Sequence, residues 1–168
     1  NAGCFQREFK DILISIQALN KSGQVITIPT KNINFKYRDS GLSDDLIFLS
    51  ASFKGFKKEK NIIENEIRIL KKKKEQTQPT KIKTSGSTFK NPIDQTDKKV
   101  WELIKESIDI KKVNEMFGDA KLSEKHCNFL INKEKASSKD MKNLINFIKQ
   151  NVYKKTGVEL ELEIILTS

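Results

Sequence analysis

Apolar and polar residues alternate near the start of the chain, a pattern that predicts β-structure. The run DILISIQAL, residues 11–19, is largely apolar at every second position, and the turn-forming residues NKSGQ connect it to the run VITIP. A polar connection that contains glycine, placed between two such runs, is typical of a β-hairpin. The apolar run at residues 46–53 predicts a further strand. We therefore expect a sheet in this part of the chain.

The spacing of apolar residues changes to a helical period after residue 57. Isoleucine and leucine recur there beneath a coat of charged residues, at Ile62, Ile63, Ile67 and Leu70. This period predicts an amphipathic helix that ends near Gln76. The next stretch, TQPTKIKTSGST, is rich in hydroxyl residues and contains Pro79 and Gly86. We place a domain boundary there, with domains at residues 1–78 and 84–168.

The second predicted domain contains both helices and strands. Residues 97–108 show helical spacing, and residues 126–132 form a short apolar run that is typical of a strand. A longer helix is predicted from a serine cap, at Ser137 or Ser138, to a stop at Gly157. Beyond it the run VELELEIIL alternates, which predicts a terminal strand. The predicted fold class is α+β.

Composition and charge narrow the class of protein. The chain has 168 residues, of which 36% are hydrophobic, enough to form a core. It has no apolar stretch long enough to span a bilayer, so we expect no membrane partner. The net charge of +10 permits binding to polyanions, but the cations are nearly all dispersed lysines, which favours a solvated surface and no nucleic acid partner. A lysine-rich nucleic-acid-binding module and a non-catalytic interaction module stay open as alternatives.

Several kinds of site have no support in the sequence. One histidine and the widely separated Cys4 and Cys127 fall short of any metal-binding spacing, so no metal is expected. The same cysteines give little support for a disulfide framework, and a reducing compartment fits better. Glycine-rich phosphate loops of the common nucleotide folds are also missing, so a self-contained nucleotide-binding fold is not predicted.

Short motifs that follow one another along the chain carry a resemblance to a known family. GSTFKNP, at residues 86–92, is the most specific of them. The others are NAGCF at residues 1–5, YRDS at 37–40, SEKHCNFLIN at 123–132 and LELEI at 160–164. On these motifs the chain resembles the flavoenzyme family of UDP-N-acetylenolpyruvoylglucosamine reductases (MurB).

The resemblance implies a fold and a reaction. Members of the family use FAD, reduced by NADPH, to pass a hydride to UDP-N-acetylglucosamine enolpyruvate, which yields UDP-N-acetylmuramate for peptidoglycan. The implied fold is the C-terminal part of a split FAD-binding domain, followed by a small α+β substrate-binding domain. We accordingly expect a cytoplasmic, monomeric enzyme whose substrate is this enolpyruvyl nucleotide sugar.

The resemblance also indicates how much of the family's sequence is present. The chain starts at Asn1 and not at a methionine, and the family's glycine-rich stretches that cradle the flavin pyrophosphate have no counterpart in it. Gly3 matches the last of the family's flavin contacts. We therefore expect a C-terminal fragment that lacks the front of the FAD domain and is inactive by itself.

The resemblance implies roles for individual residues. Ser87 is the implied proton donor to the substrate carbon. Arg38 and Glu163 match the residues around the enol and its carboxylate. A guanidinium binds a carboxylate through two hydrogen bonds, whereas a glutamate helps beside that anion only when it carries or shares a proton. Substrate binding is implied for Tyr37, Lys90, Asn91 and His126.

These assignments have structural alternatives. A serine in a Gly-Ser-Thr loop is ordinarily a turn or cap residue, and a single histidine beside an apolar strand is more often structural. Arg38 can simply pair with Asp39, a common and weak arrangement. Alternation puts Glu163 in one row with Glu159 and Glu161, the pattern of plain solvent-facing carboxylates. The family role instead requires that face to turn toward a cleft at Glu163.

Overall fold

Contacts within the chain divide it into Asn1–Lys60, here called unit 1, and Asn61–Ser168, here called unit 2. The computed structural model describes residues 1–167. The paired strands are antiparallel, and helices accompany them, which confirms the α+β class. The helix that the sequence analysis assigned to the first domain is grouped almost entirely with unit 2, and the functional domain limits stay a prediction.

Unit 1 is built on the alternating runs near the start of the chain. The strand Leu13–Leu19 (β3) lies between Val25–Pro29 (β4) and Ile47–Phe53 (β5) in a three-stranded sheet, which confirms the predicted hairpin and the further strand. The strands are β1 (Gly3–Cys4), β2 (Arg7–Glu8), β3 (Leu13–Leu19), β4 (Val25–Pro29) and β5 (Ile47–Phe53), with 3-10 turns at Phe9–Asp11 and Thr30–Asn32.

The core of unit 1 is small. Leu13 and Ile16 of β3 pack with Ile33 as its buried cluster. The buried residues of β3 are Leu13, Ile16 and Ala18. Leu13 departs from the alternation of the other two, and the pairing with β5 shifts in register between Leu13 and Ser15. Every residue of β5 is exposed, so the apolar character of this strand does not by itself produce burial.

The first helix, α1 (Lys60–Thr77), confirms the predicted amphipathic helix and ends one residue beyond Gln76. All of its residues are exposed, including the apolar stripe of Ile62, Ile63, Ile67 and Leu70. None of the helices within residues 1–167 has the length and apolar character needed to cross a membrane.

Unit 2 packs further helices against a second three-stranded sheet, in which Phe129–Asn132 (β8) lies between Lys83–Ser87 (β6) and Ala120–Leu122 (β7). Its core contains buried side chains from α2, α3, α4, β7 and β8, together with Phe89 and Leu160. The strands are β6 (Lys83–Ser87), β7 (Ala120–Leu122) and β8 (Phe129–Asn132), and the helices are α2 (Val100–Ser107), α3 (Ile110–Met116) and α4 (Ser138–Thr156).

The two ends of α4 lie where the sequence predicts them. The Ser137 hydroxyl accepts a hydrogen bond from the Asp140 N–H at 3.2 Å, and the Asp140 carboxylate accepts one from the Ser137 N–H at 2.9 Å. Together these bonds form a capping box. Gly157 ends the helix in the left-handed conformation, with φ of 72°. The helix buries Leu144, Ile145, Ile148 and Val152.

Some predicted boundaries in unit 2 need correction. The helix predicted at residues 97–108 begins only at Val100. The strand predicted at residues 126–132 begins only at Phe129, because the Phe129 N–H donates to the His126 carbonyl at 2.9 Å in a turn. The sequence analysis did not predict α3 and β7, since elements this short show little periodicity.

The predicted terminal strand is wrong. Of the described residues after α4, only Leu162 forms a β-bridge, with Phe89. The alternation itself holds, because residues 158–161 are buried and exposed in turn. However, the Glu159 N–H donates to Gln95 Oε1 and the Glu159 carbonyl accepts from Gln95 Nε2, each at 2.9 Å. Alternation reports one buried face, whereas a strand also needs backbone partners in a ladder.

Candidate functional site

The GSTFKNP motif begins where β6 is distorted. Ser87 pairs with Phe129 of β8, but the register shifts between Thr84 and Ser87. Gly86 lies in this irregular stretch with φ of 89°, and a Cβ added to it would meet nothing within 4 Å. Glycine is therefore needed here for its backbone conformation and not for space. Since bulges re-aim side chains, this one sets the direction of the half-buried Ser87.

The C-terminal segment lies against the residues that follow Ser87. The Lys90 N–H donates to the Glu161 carbonyl, and the Glu163 N–H donates to the Thr88 carbonyl, each at 2.9 Å. The structure thus brings the backbone of Glu163 to the residue next to Ser87, although the two residues are far apart in sequence.

Glu163 differs from the other acidic residues in its row. Glu159 and Glu161 are exposed, as the structural alternative expects, whereas Glu163 is half-buried. The regular alternation therefore breaks at the residue to which the resemblance assigns a role. That role stays a prediction.

Lys90 and Asn91 both have partners inside unit 2. The Lys90 ammonium forms an ion pair with the Glu161 carboxylate, whose side chain is 72% exposed, so the pair contributes little to stability. The Asn91 Oδ1 accepts a hydrogen bond from the Val100 N–H at 3.1 Å, which satisfies a donor at the start of α2. A substrate phosphate would have to compete with Glu161 for Lys90, and the assigned substrate roles stay predictions.

His126 lies in the connection between β7 and β8. Its ring meets the ring of Phe129 edge-on, with centroids 4.9 Å apart. Its Nδ1 is buried and has no hydrogen-bond partner among residues 1–167. Burial lowers the pKa of His126 below its ordinary 6.5, and the charge of Lys105 adds to that effect, so the ring is neutral at pH 7. The predicted contact between His126 and substrate would therefore be a hydrogen bond and not an ion pair.

The two cysteines are free thiols. Cys127 is buried and its Sγ donates a hydrogen bond to the Trp101 carbonyl at 3.2 Å. Burial raises the pKa of this thiol to about 11, which keeps it protonated and unreactive at neutral pH. Within the described part of the chain, no cluster of three or more His, Cys, Asp or Glu side chains is placed to hold a metal ion.

In unit 1, Arg38 lies in a tight turn. Lys36 and Asp39 exchange backbone hydrogen bonds of 3.0 and 3.2 Å, and Arg38 between them has φ of 56°. This conformation is uncommon outside glycine, and such strain is frequent at functional sites. The Arg38 guanidinium lies 4.9 Å from the centre of the Tyr37 ring and donates to the Gly3 carbonyl at 2.9 Å. Arg38 therefore contacts both Tyr37 and Gly3, the other two residues of unit 1 to which the resemblance assigns roles.

Gly3 is required for space. A Cβ on this residue would lie 2.9 Å from the Arg7 carbonyl oxygen and 3.1 Å from Arg38 Nη1. Glycine thus permits the close approach of the Arg38 guanidinium to the backbone. The predicted flavin contact of Gly3 stays a prediction.

Unit 1, to which the resemblance assigns flavin binding, contains an apolar groove. Its volume is about 430 Å³, and its lining includes Phe9, Leu13, Ile33, Phe48 and Leu49. Among residues 1–167, none of the side chains that line it is charged, and the chain has no glycine-rich phosphate loop of a common type. The groove therefore suits an apolar group but does not fit the pyrophosphate of FAD.

Sequence reasoning missed two carboxamides that organise unit 2. Gln95 pairs with the backbone of Glu159, and Asn128 pairs in the same way with the backbone of Phe89. A signal existed for Asn128, because it lies within the apolar run CNFLI, where an unpaired carboxamide would be costly. Gln95 lies in a polar loop and gives no such signal.

Fold and site together define an α+β chain whose second unit presents a serine on a bulge beside a half-buried glutamate and a lysine. The C-terminal domain model of the UDP-N-acetylenolpyruvoylglucosamine reductases (MurB) matches residues 78–167. The chain belongs to this family, and the resemblance inferred from its motifs is confirmed.

Individual relatives agree with this assignment. The UDP-N-acetylenolpyruvoylglucosamine reductase of Pelagibacter ubique (strain HTCC1062) is 64% identical over 98% of this chain and 53% of its own length. That of Rickettsia typhi is 42% identical over 98% of this chain and 54% of its own length. The crystal structure of MurB from Thermus caldophilus matches with a TM-score of 0.77 and 27% identity, over 97% of this chain and 56% of that chain. The chain thus spans about half the length of the curated relatives it matches.

Proposed function

We propose that this chain is the C-terminal part of a flavin-dependent oxidoreductase. The whole enzyme reduces UDP-N-acetylglucosamine enolpyruvate to UDP-N-acetylmuramate in peptidoglycan precursor synthesis, with FAD and NADPH. The observation that carries the proposal is the pairing of the Glu163 backbone with the residue next to the bulge-borne Ser87, in a chain that belongs to the MurB family. Because the residues present do not fit a flavin pyrophosphate, we propose that this chain by itself is inactive.

The chemistry requires one proton donor from the protein. When bound by the whole enzyme, reduced FAD would supply hydride chemistry to the enolpyruvyl double bond, and the carbon beside the carboxylate would then need a proton. We assign the Ser87 hydroxyl as the group that gives this carbon its proton, after which the serine oxygen regains a proton from solvent. A serine hydroxyl is a weak acid, so the transfer depends on holding its oxygen close to a strongly basic carbon.

The developing negative charge needs stabilisation as well. We assign Arg38 to the substrate carboxylate, because a guanidinium keeps its charge and can donate two parallel hydrogen bonds. Stacking on Tyr37 and the bond to Gly3 limit the orientations that its guanidinium can adopt. Glu163 is assigned to the enol, where a carboxyl group helps by sharing a proton.

Further polar residues are assigned to the rest of the substrate. Lys90 is proposed to bind the diphosphate, with phosphate oxygens replacing its exposed Glu161 partner. Asn91 and His126 are proposed as hydrogen-bonding contacts, and Tyr37 as a further substrate contact. Lys90→Ala is therefore expected to raise KM more than it lowers kcat, since it removes ground-state binding.

The decisive experiment uses the full-length enzyme with Ser87→Ala. Reduction of its flavin by NADPH should proceed normally, while reoxidation by substrate should slow by about 100-fold or more, the usual contribution of a positioned proton donor. Ser85→Ala is the matched control, because Ser85 is an exposed serine on the same strand. Normal turnover of the Ser87 variant would refute the proton-donor role.

We further propose that the full-length enzyme is a cytoplasmic monomer that prefers NADPH. Membership in the family supports the use of a nicotinamide reductant, and the net charge of +10 on this chain favours repulsion between copies. Sedimentation of the full-length protein measures its mass in solution. Parallel rates with NADPH and NADH measure the preference.

A further inference from the structure

A buried carboxamide completes the hydrogen bonding of the segment that follows Ser87. The Phe89 N–H donates to Asn128 Oδ1 at 3.0 Å, and Asn128 Nδ2 donates to the Phe89 carbonyl at 2.9 Å. The Thr88 N–H donates to the main-chain carbonyl of Asn128 at 2.8 Å. Asn128 is only 5% exposed, so water does not replace these bonds easily.

The other side of the same segment is held by the C-terminal residues. The Thr88 carbonyl accepts a hydrogen bond from the Glu163 N–H, and the Lys90 N–H donates one to the Glu161 main-chain carbonyl. Together with the bonds to Asn128, these contacts give a partner to each backbone polar group from the Thr88 N–H to the Lys90 N–H. The Asn128 side chain thus takes the place of a neighbouring strand at Phe89, just after β6 has ended.

We infer that Asn128 is a positioning residue for the proposed reaction. By fixing both backbone groups of Phe89 it holds the segment that follows Ser87 between β8 and the C-terminal residues. Loss of the carboxamide would leave two buried backbone groups without partners, and the segment would shift to regain them. The inference rests on the proposed function of Ser87, through which Asn128 acts.

The opposite end of β8 offers a matched control. Asn132 Nδ2 donates to the Ala136 carbonyl, and the Ala136 N–H donates to Asn132 Oδ1, each at 3.0 Å. Asn132 thus makes the same pair of bonds as Asn128, but these bonds hold the connection between β8 and α4. Asn132→Ala therefore removes the corresponding two hydrogen bonds, which are only partly buried, without touching the segment after Ser87.

The first test is amide hydrogen exchange on the 168-residue chain. Asn128→Ala should speed exchange at Phe89 and Lys90 by about tenfold or more, because their bonded state becomes easier to open. Asn132→Ala should instead speed exchange at Ala136 and leave Phe89 unchanged. Unchanged protection of Phe89 in the Asn128 variant would overturn the inference, whatever the enzyme's activity.

The second test separates the half-reactions of the full-length holoenzyme. Asn128→Ala should slow reoxidation of the flavin by substrate by about 100-fold, as expected for a misplaced reacting group, and should leave reduction by NADPH unchanged. Added to Ser87→Ala, it should cause little further loss, because both changes remove one function. Asn128→Asp keeps the acceptor for the Phe89 N–H and loses the donor, so an intermediate rate is expected.

The outcomes distinguish this inference from the proposed function. If Asn132→Ala slows reoxidation as much as Asn128→Ala, the effect is one of general stability and the inference is wrong. If Asn128→Ala does not fold, the same measurements on Asn128→Asp decide, and a wild-type rate there counts against the inference. If Ser87→Ala is reoxidised normally, the proposed function fails, while hydrogen exchange still tells whether Asn128 holds the segment.

Discussion

The two units of this chain bury their apolar residues to very different degrees. In unit 2 one buried cluster combines side chains from α2, α3, α4, β7 and β8, whereas the buried cluster of unit 1 consists of Leu13, Ile16 and Ile33. In unit 1, β5 leaves Ile47 and Phe48 about 60% exposed. The family's C-terminal domain model falls within unit 2, so the region with the complete core coincides with the matched domain. Apolar patterning alone does not tell these two situations apart.

The largest expected effect comes from removing the same side chain in each core. Ile148→Ala in unit 2 should lower the free energy of unfolding by about 2–5 kcal/mol, because it leaves a cavity among fully buried neighbours. Urea titration followed by the fluorescence of Trp101, the chain's one tryptophan, measures this loss. Ile16→Ala in unit 1 should cost less, since its surroundings are partly exposed and collapse more easily.

Hydrogen exchange at β3 measures the loss caused by Ile16→Ala. If Ile16→Ala lowers the free energy of unfolding as much as Ile148→Ala or more, the small core of unit 1 is as well packed as that of unit 2. The contrast between the units would then be gone.

A smaller effect is expected from two threonines beside the site. The Thr88 hydroxyl is buried and has no hydrogen-bond partner among residues 1–167, whereas the Thr84 hydroxyl donates to the Leu130 carbonyl at 2.7 Å. Thr88→Val should raise the free energy of unfolding by about 1 kcal/mol, and Thr84→Val should lower it by about 1 kcal/mol. Thermal unfolding of both variants checks the opposite signs. A lower free energy of unfolding in both variants would mean that the Thr88 hydroxyl has a hydrogen-bond partner.

The smallest expected effect is a pH dependence in unit 2. Because the folded pKa of His126 lies below its ordinary 6.5, the unfolded chain takes up the proton first as the pH falls. The contribution to stability is therefore complete above pH 6.5 and is lost as the pH falls from there through the folded pKa. Urea midpoints from Trp101 fluorescence should decline over this range less in His126→Gln than in the wild type. Equal declines would show that carboxylates alone cause the acid sensitivity.

Much of the fold could be predicted because the pattern is local. The capping box at Ser137 and the left-handed Gly157 set the ends of α4 from adjacent residues, and alternation identified β3. The terminal strand failed because its backbone partners are not local. Glu159 bonds to the side chain of Gln95, and only Leu162 reaches a β-bridge, which no period along the chain reports.

The sequence by itself determined the class, the helices with clear periods and the motifs that reveal the family, since each depends on neighbouring residues or on recognisable residue order. Tertiary structure decided which glutamate became half-buried and which carboxamide holds Phe89. The physical reason is that a buried backbone N–H or carbonyl forms a hydrogen bond with any suitable partner within reach. Which partner comes within reach depends on how β8 and the C-terminal residues pack around the segment after Ser87.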